Sequence, residues 1–200
     1  MKVLVVGATG VLGQSVTGTL RDRGHEVLAA SRTGQYRIDL TSAASIESLY
    51  REVGPVDAVV CAAGSAPLAP LNELTYHDFV RGLANKALGQ IELVRAGLDR
   101  VADGASFTLI TGISAYEAVR NAAVNAAANG AIESFVRCAA AEATRGIRIN
   151  SVCATIFTES VKEFGAEFPG YPSASTNQVA QAFVKSIEGI QTGQNYHVGF

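Results

Sequence analysis

Short runs of Val, Ile and Leu recur along the chain, separated by stretches whose apolar residues return every three or four positions. The first pattern belongs to buried strands and the second to amphipathic helices. The runs predict strands over Lys2–Val6, Glu26–Ala30, Tyr36–Ile38, Val56–Cys61, Ser106–Thr111, Arg148–Val152 and Asn195–Val198. The helical stretches are Val11–Arg23, Ala43–Val53, Thr75–Asp99, Ala122–Ala143 and Asn177–Glu188. Ser175-Thr176-Asn177-Gln178 reads as a capping box opening the last helix, and Thr75-Tyr76-His77-Asp78 as a weaker one opening the third.

Strands and helices alternate, and most strands are apolar throughout rather than half polar. That combination predicts an α/β fold, a doubly wound parallel sheet of about seven strands with helices on both faces. The one sizeable loop-like region is 158–175, with Gly165, Pro169, Gly170 and Pro172. In such a fold it lies at the carboxyl edge of the sheet, where it can serve as a lid.

Composition narrows the picture. A chain of 200 residues suits one domain with a sizeable core. Charged residues make up 17% and hydrophobic ones 48%, against about 25% charged in an ordinary globular protein. The surplus apolar surface predicts burial between subunits, a homodimer or homotetramer. With 16 basic and 18 acidic residues, a net charge of -2 and no basic block, nothing calls for nucleic acid or an anionic membrane. Cys61, Cys138 and Cys153 are odd in number and far apart, as expected of reduced thiols rather than a metal site. The apolar run after Met1 and Lys2 is too short for a signal-peptide core or a membrane span, so the expected location is the cytoplasm.

The most specific chemistry stands at the first strand–helix turn. Val3 to Val6 runs into Gly7-Ala8-Thr9-Gly10-Val11-Leu12-Gly13, then a helix. Glycines there allow a tight turn and let the N–H groups around Gly7, Thr9, Gly10, Val11 and Leu12 approach a pyrophosphate. At the end of the second strand a site for NAD places Asp or Glu against the ribose. This chain has Ser31 and Arg32 instead, a hydroxyl and a forked cation suited to a 2′-phosphate, so the expected cofactor is NADP(H). A solvated surface arginine is the other reading of Arg32.

At these residues the chain resembles the short-chain dehydrogenase/reductase family, over nearly its whole length, which implies a single-domain Rossmann fold spanning 1–200. The resemblance implies that Asp39 and Leu40 lie beside the adenine, and that Ala62, Ala63 and Gly64 stand for the family's Asn-Asn-Ala-Gly cofactor loop. Gly7, Gly10 and Gly13 follow the spacing of extended and atypical members. Arg145-Gly146-Ile147-Arg148-Ile149-Asn150-Ser151-Val152 and Thr192-Gly193-Gln194 match later family segments. After Val152, Ala154-Thr155 replaces the usual Pro-Gly.

The family's reaction uses a Tyr as proton donor or acceptor and a Lys four residues on that lowers its pKa and holds the ribose. A Ser binds the substrate oxygen and an Asn supports a proton relay. Gly130-Ala131-Ile132-Glu133 resembles the run that follows the family's Lys, which sets Asn129 at the Lys position and Asn125 at the Tyr position. Neither amide exchanges protons near neutral pH. The Ser region reads Thr111-Gly112-Ile113-Ser114, with Gly112 as the nearest match and a displaced hydroxyl nearby. Gly89 fixes the Asn position, and Lys86 occupies it.

Candidate catalytic residues are therefore Thr111, Lys86 and Asn125. Lys86 either supplies a charge or proton to the cleft or is a solvated or interface lysine. Asn121, Asn125 and Asn129 form an amide face that either binds ribose or a polar ligand, or satisfies backbone groups or a partner subunit. Tyr116 falls before the helix, Tyr171 is placed to swing inward from the lid, and His25, His77 and His197 read as structural. Three functions stay open. They are an NADP(H)-dependent oxidoreductase of unknown small-molecule substrate with an atypical site, a non-catalytic NADP(H)-binding sensor or scaffold, and an isomerase or lyase using the cofactor structurally.

Overall fold

A computed structural model describes residues 1–200. In chain order it contains β1 (Lys2–Val6), α1 (Val11–Asp22), β2 (Glu26–Ser31), β3 (Tyr36–Arg37), α2 (Ala43–Val53), β4 (Ala58–Cys61) and α3 (Tyr76–Gly82). A π-helical turn, Leu83–Leu88, joins α3 to α4 (Gly89–Gly97). Then follow β5 (Ser106–Gly112), α5 (Ala123–Glu142), β6 (Arg148–Ala154), α6 (Val161–Phe164), α7 (Thr176–Glu188) and β7 (Asn195–Val198). All seven strands join one parallel sheet in the order β3-β2-β1-β4-β5-β6-β7.

That order reverses direction between β1 and β4, which opens a crevice at the carboxyl ends of the central strands. Alternate side chains along each strand enter separate cores. On one face Leu4, Val59 and Phe107 pack with Ile46, Leu49, Leu93 and Ile132 of α2, α4 and α5. On the other Val3, Val5 and Val60 pack with Leu12, Val16 and Leu20 of α1 and Phe183 and Ile187 of α7. Burial on both faces explains the continuous apolar runs of the central strands. No helix is long and apolar enough to cross a membrane.

The expected doubly wound α/β class is the observed one, and most boundaries agree within two residues. Both capping boxes are formed. The Ser175 hydroxyl accepts from the Gln178 N–H and the Thr75 hydroxyl from the Asp78 N–H, each with its reciprocal bond. Three stretches differ. Val56 and Asp57 lead into β4 rather than belonging to it. The stretch expected as one helix over Thr75–Asp99 is interrupted by the π turn, which hydropathy spacing does not register because apolar positions persist through it. The expected loop at 158–175 instead holds short helical turns, including α6.

Two glycines flank the π turn because neighbouring atoms, side-chain at Gly82 and mainly backbone at Gly89, come too close for a side chain. A Cβ on Gly82 would lie 2.3 Å from Cγ1 of Val124 in α5. One on Gly89 would lie 2.7 Å from the Leu40 carbonyl oxygen. Gly82→Ala and Gly89→Ala are each expected to cost about 1–3 kcal/mol of stability through overpacking. Urea denaturation would measure this, and unchanged midpoints in both variants would show that the turn is loosely held.

Candidate active site

The site begins where β1 turns into α1. Gly7 has φ 83°, a left-handed conformation favouring glycine. A Cβ there would lie 2.6 Å from that of Ala63, and one on Gly13 would lie 2.0 Å from the Gly7 carbonyl oxygen. The turn is thus as tight as backbone allows. Gly10 caps α1 without any side-chain bond, so the first N–H groups of the helix, beside Thr9, Val11 and Leu12, remain available to an anion. The amide of Gln14 donates to the Thr9 carbonyl at 2.8 Å and holds the loop's shape.

From this turn a cavity of about 330 Å³ runs over the ends of β2 and β4, lined by Ser31, Arg32, Asp39, Leu40, Ala62, Ala63 and Gly64. Ser31 is buried, and its hydroxyl accepts from the Gly34 N–H at 2.8 Å, leaving its own hydrogen to give. Arg32 is exposed at the rim. The Asp39 carboxylate accepts from the hydroxyl and N–H of Thr41 at 2.7 and 2.8 Å, which holds it below the usual carboxylate range.

A second cavity of about 660 Å³ adjoins the first and shares Ala62, Gly64 and Ser65 with it. Lys86 is the sole ionisable side chain on its wall. The π turn carries Lys86 against Gly64, where an added Cβ would stand 3.2 Å from the Lys86 Cα and Cγ. Burial brings the amine down to about 8. Cys61 and Cys153 face it, and burial pushes both thiols up to about 12, so neither supplies a counter-charge at neutral pH.

Around the amine the hydroxyls and amides divide into committed and uncommitted groups. The Thr111 hydroxyl donates to buried Glu133 at 2.8 Å. The Asn125 amide donates to the carbonyls of Ala66 and Pro67, both at 3.3 Å, and pins the loop after β4. Buried Asn129 donates to the Gly112 carbonyl at 3.2 Å and to the Ser114 hydroxyl at 3.0 Å, while its Oδ1 has no partner. Ser114 therefore accepts from Asn129 and keeps its own hydrogen free. The sequence marked only a displaced hydroxyl here. A 3-10 turn over Ile113–Ala115 brings Ser114 to the cavity wall, and no periodicity in the sequence signals such a turn.

Phe157, Phe164 and Phe168 also line this cavity. Their segment is tied down by Tyr171, whose hydroxyl donates to the Ala118 carbonyl at 3.0 Å, and by the Arg120 N–H on the Glu167 carbonyl. Tyr171 thus engages the neighbouring loop and is not among the cavity-lining side chains. Tyr116 accepts from Asn195 and packs edge-on against His197, away from the cavity. His25 pairs with Glu188, His197 stacks on Phe200, and His77 is exposed. No cluster of His, Cys, Asp or Glu is arranged to hold a metal.

The groove fits a dinucleotide. It offers a side-chain-free cradle at Gly7 and Gly13, a helix start without a side-chain cap, and an orphaned acceptor on Asn129 for a hydroxyl donor.

A family model described as enoyl-(acyl carrier protein) reductase matches residues 7–190. The chain is 34% identical over 119 residues to hydroxynaphthalene reductase arp2 of Aspergillus fumigatus, covering 57% of this chain and 44% of that protein. It is 26% identical over 167 residues to glucose and ribitol dehydrogenase homolog 2 of Arabidopsis thaliana, covering 76% and 58%. The chain thus spans about half the length of these relatives. Among solved structures, protein lin1944 from Listeria innocua superposes with a TM-score of 0.96 at 42% identity over 99% of both chains. A small-chain dehydrogenase in complex with NADPH superposes at 0.88 with 23% identity, over 99% of this chain and 96% of that one, a likeness of fold.

The lowered Lys86 pKa has a stability consequence with a definite sign. Below about 8 the amine is charged in both folded and unfolded chains, and the folded state bears the full cost of burying it. Between about 8 and 10.5 the folded protein loses the proton first and the cost fades. Lys86→Met should therefore stabilise the protein at pH 7 by on the order of 2 kcal/mol. That advantage should shrink toward pH 10. A variant less stable than the parent at pH 7 would mean that the amine has a partner in the folded protein.

Proposed function

Because the chain belongs to the short-chain dehydrogenase/reductase family, we propose that it is an NADP(H)-dependent oxidoreductase of a small-molecule carbonyl compound. In this reading Lys86 supplies the proton that the family takes from its tyrosine. The observation carrying it is that Lys86 is the one ionisable group on the cavity wall, poised at about 8. A general acid is most effective when its pKa lies near the working pH. Relative to the family pattern, an amine and an amide have exchanged helices, with Lys86 at the Asn position and Asn129 at the Lys position.

The nicotinamide cofactor supplies or takes the hydride. Thr9, Val11 and Leu12 hold its pyrophosphate against the start of α1. Gly7 and Gly10, whose N–H groups bond the carbonyls of Ala30 and Gly7, let it approach closely, and Asp39, Leu40, Ala62, Ala63 and Gly64 form the walls around its adenosine half. Ser31 and Arg32 bind the 2′-phosphate. Asn129 offers Oδ1 to a ribose hydroxyl, and Ser114 donates to the substrate oxygen beside Lys86. Thr111 and Asn125 shape the site, the first by holding Glu133 and the second by pinning the loop after β4. The chain acts as one NADP(H)-binding domain over 1–200, with 158–175 as its lid. We place it in the cytoplasm as a homodimer or homotetramer built through α4, the π turn before it and α5, where Leu88, Ala127 and Ala131 are exposed.

A second reading, a non-catalytic NADP(H)-binding sensor or scaffold, is favoured by one observation. The hydroxyl and amide at Thr111 and Asn125 are both committed to the protein itself.

The cofactor assignment predicts that NADPH binds more tightly than NADH by roughly tenfold to a hundredfold, the worth of a charge-assisted bond at the 2′-phosphate. Arg32→Ala should remove most of that difference in a calorimetric titration. Equal affinities in the parent protein would sink the assignment.

The proton-donor role predicts that Lys86→Met lowers turnover of a responsive ketone or quinone by about 10²–10⁴-fold. NADPH oxidation across a panel of such compounds gives the measurement. A parent protein inert to the panel, but activated by Asn125→Tyr with Asn129→Lys, would establish the sensor reading instead.

A further inference from the structure

We propose that the larger cavity receives an aromatic monoanion, a flat ring system carrying one ionised oxygen, with the oxygen on Lys86 and the ring against Phe157, Phe164 and Phe168. The inference rests on that cavity being the substrate end of the oxidoreductase site, and it names a class of compound that the cavity holds with Lys86 as counter-ion, an occupant that competes with a carbonyl substrate for the amine.

The charge follows from what the wall lacks. Lys86 faces a cavity with no carboxylate on it, and the two thiols nearest the amine are neutral at physiological pH. A desolvated ammonium without a counter-ion is costly, and a ligand that supplies the missing negative charge recovers that cost. A neutral ligand leaves the amine unpaired, and a cationic one is repelled. One amine, with no arginine beside it, matches a single ionised oxygen and not a phosphoryl group, whose several oxygens call for forked or multiple donors. Ser114, with its hydrogen uncommitted, gives that oxygen a second donor.

The ring follows from the aromatic part of the lining. Three phenylalanines from the segment around α6, Phe157, Phe164 and Phe168, line the cavity, and Phe164 is 36% exposed. Ile113 and Ile156 are buried behind the same space. Aromatic faces and edges prefer the flat π surface of another ring to a flexible chain, whose rotational freedom is lost on binding. Apolar wall and single cation therefore line one space.

Two pairs of probes test this and separate the two sources of an ionised oxygen. 2-Naphthoate is compared with neutral 2-naphthamide, and ionised 2-hydroxy-1,4-naphthoquinone with neutral 2-methyl-1,4-naphthoquinone. Each is titrated calorimetrically into the full chain, with and without NADP+. At least one anion should bind about tenfold or more tightly than its neutral partner, and the pair that responds tells carboxylate from enolate. Lys86→Met should erase the preference while the neutral compounds keep their affinity.

The pH dependence gives a measurement that needs no variant. Anion affinity should fall as pH rises through about 8, where the free amine loses its proton, whereas neutral-probe affinity stays level. Cys61 and Cys153, the other titratable groups facing Lys86, hold their protons up to about 12 and do not contribute to that step. Equal affinities within both pairs, a preference surviving Lys86→Met, or no binding by any probe would overturn the proposal. Titration with NADPH in the same samples keeps the outcomes apart. Loss of NADPH binding removes the oxidoreductase reading, and the anion preference without cofactor is judged separately.

Discussion

A parallel sheet can open a ligand cleft only where the backbone groups it exposes find other partners. Gln90 meets that requirement. The β4 ladder to β5 ends at Val60 and Thr108, yet β5 continues to Gly112. The side chain of Gln90 then takes the place of the missing strand, donating to the Ile110 carbonyl at 3.0 Å and accepting from its N–H at 2.9 Å. Gln90 is fully buried. With that edge closed, the chain after β4 is free to part from the sheet as Ala62–Ala63–Gly64, and the two cavities meet along it.

The same residue sets the helix that carries the amine. Gln90 sits near the start of α4, four residues after Lys86, and its double bond to β5 fixes how far the helix can slide or rotate. Lys86 is placed from the other side by Gly64, whose missing side chain leaves it room, and by the π turn itself. The amide that seals the sheet and the amine that faces the cavity are thus parts of one rigid arrangement. A turn of π-helix within an α-helix is commonly found at functional sites.

What the sequence revealed follows from which features leave a local mark. The Gly7–Gly13 turn was legible because its backbone conformation demands glycine in a strand–helix context. The doubly wound class was legible because strands covered on both faces must be apolar throughout, as Val3–Val6 and Ala58–Cys61 are. Lys86 was reached by counting from Gly89. Ser114 as an uncommitted hydroxyl was hidden, since its role depends on a 3-10 turn and on an amide from α5. The commitment of Thr111 to Glu133 and of Asn125 to Ala66 and Pro67 joins residues more than twenty positions apart, which no local pattern encodes.

The lowered pKa of Lys86 also changes how the molecule meets electrophiles. The chain has only four lysines, Lys2, Lys86, Lys162 and Lys185. With a pKa of about 8, roughly a tenth of Lys86 is an uncharged nucleophilic amine at pH 7, against about one in a few thousand for an ordinary lysine. An aldehyde or activated ester small enough to enter the cavity therefore meets the chain's most reactive lysine there. The low pKa thus leaves the site open to covalent capture, and Phe157, Phe164 and Phe168 line the cavity in which a reagent would meet the amine.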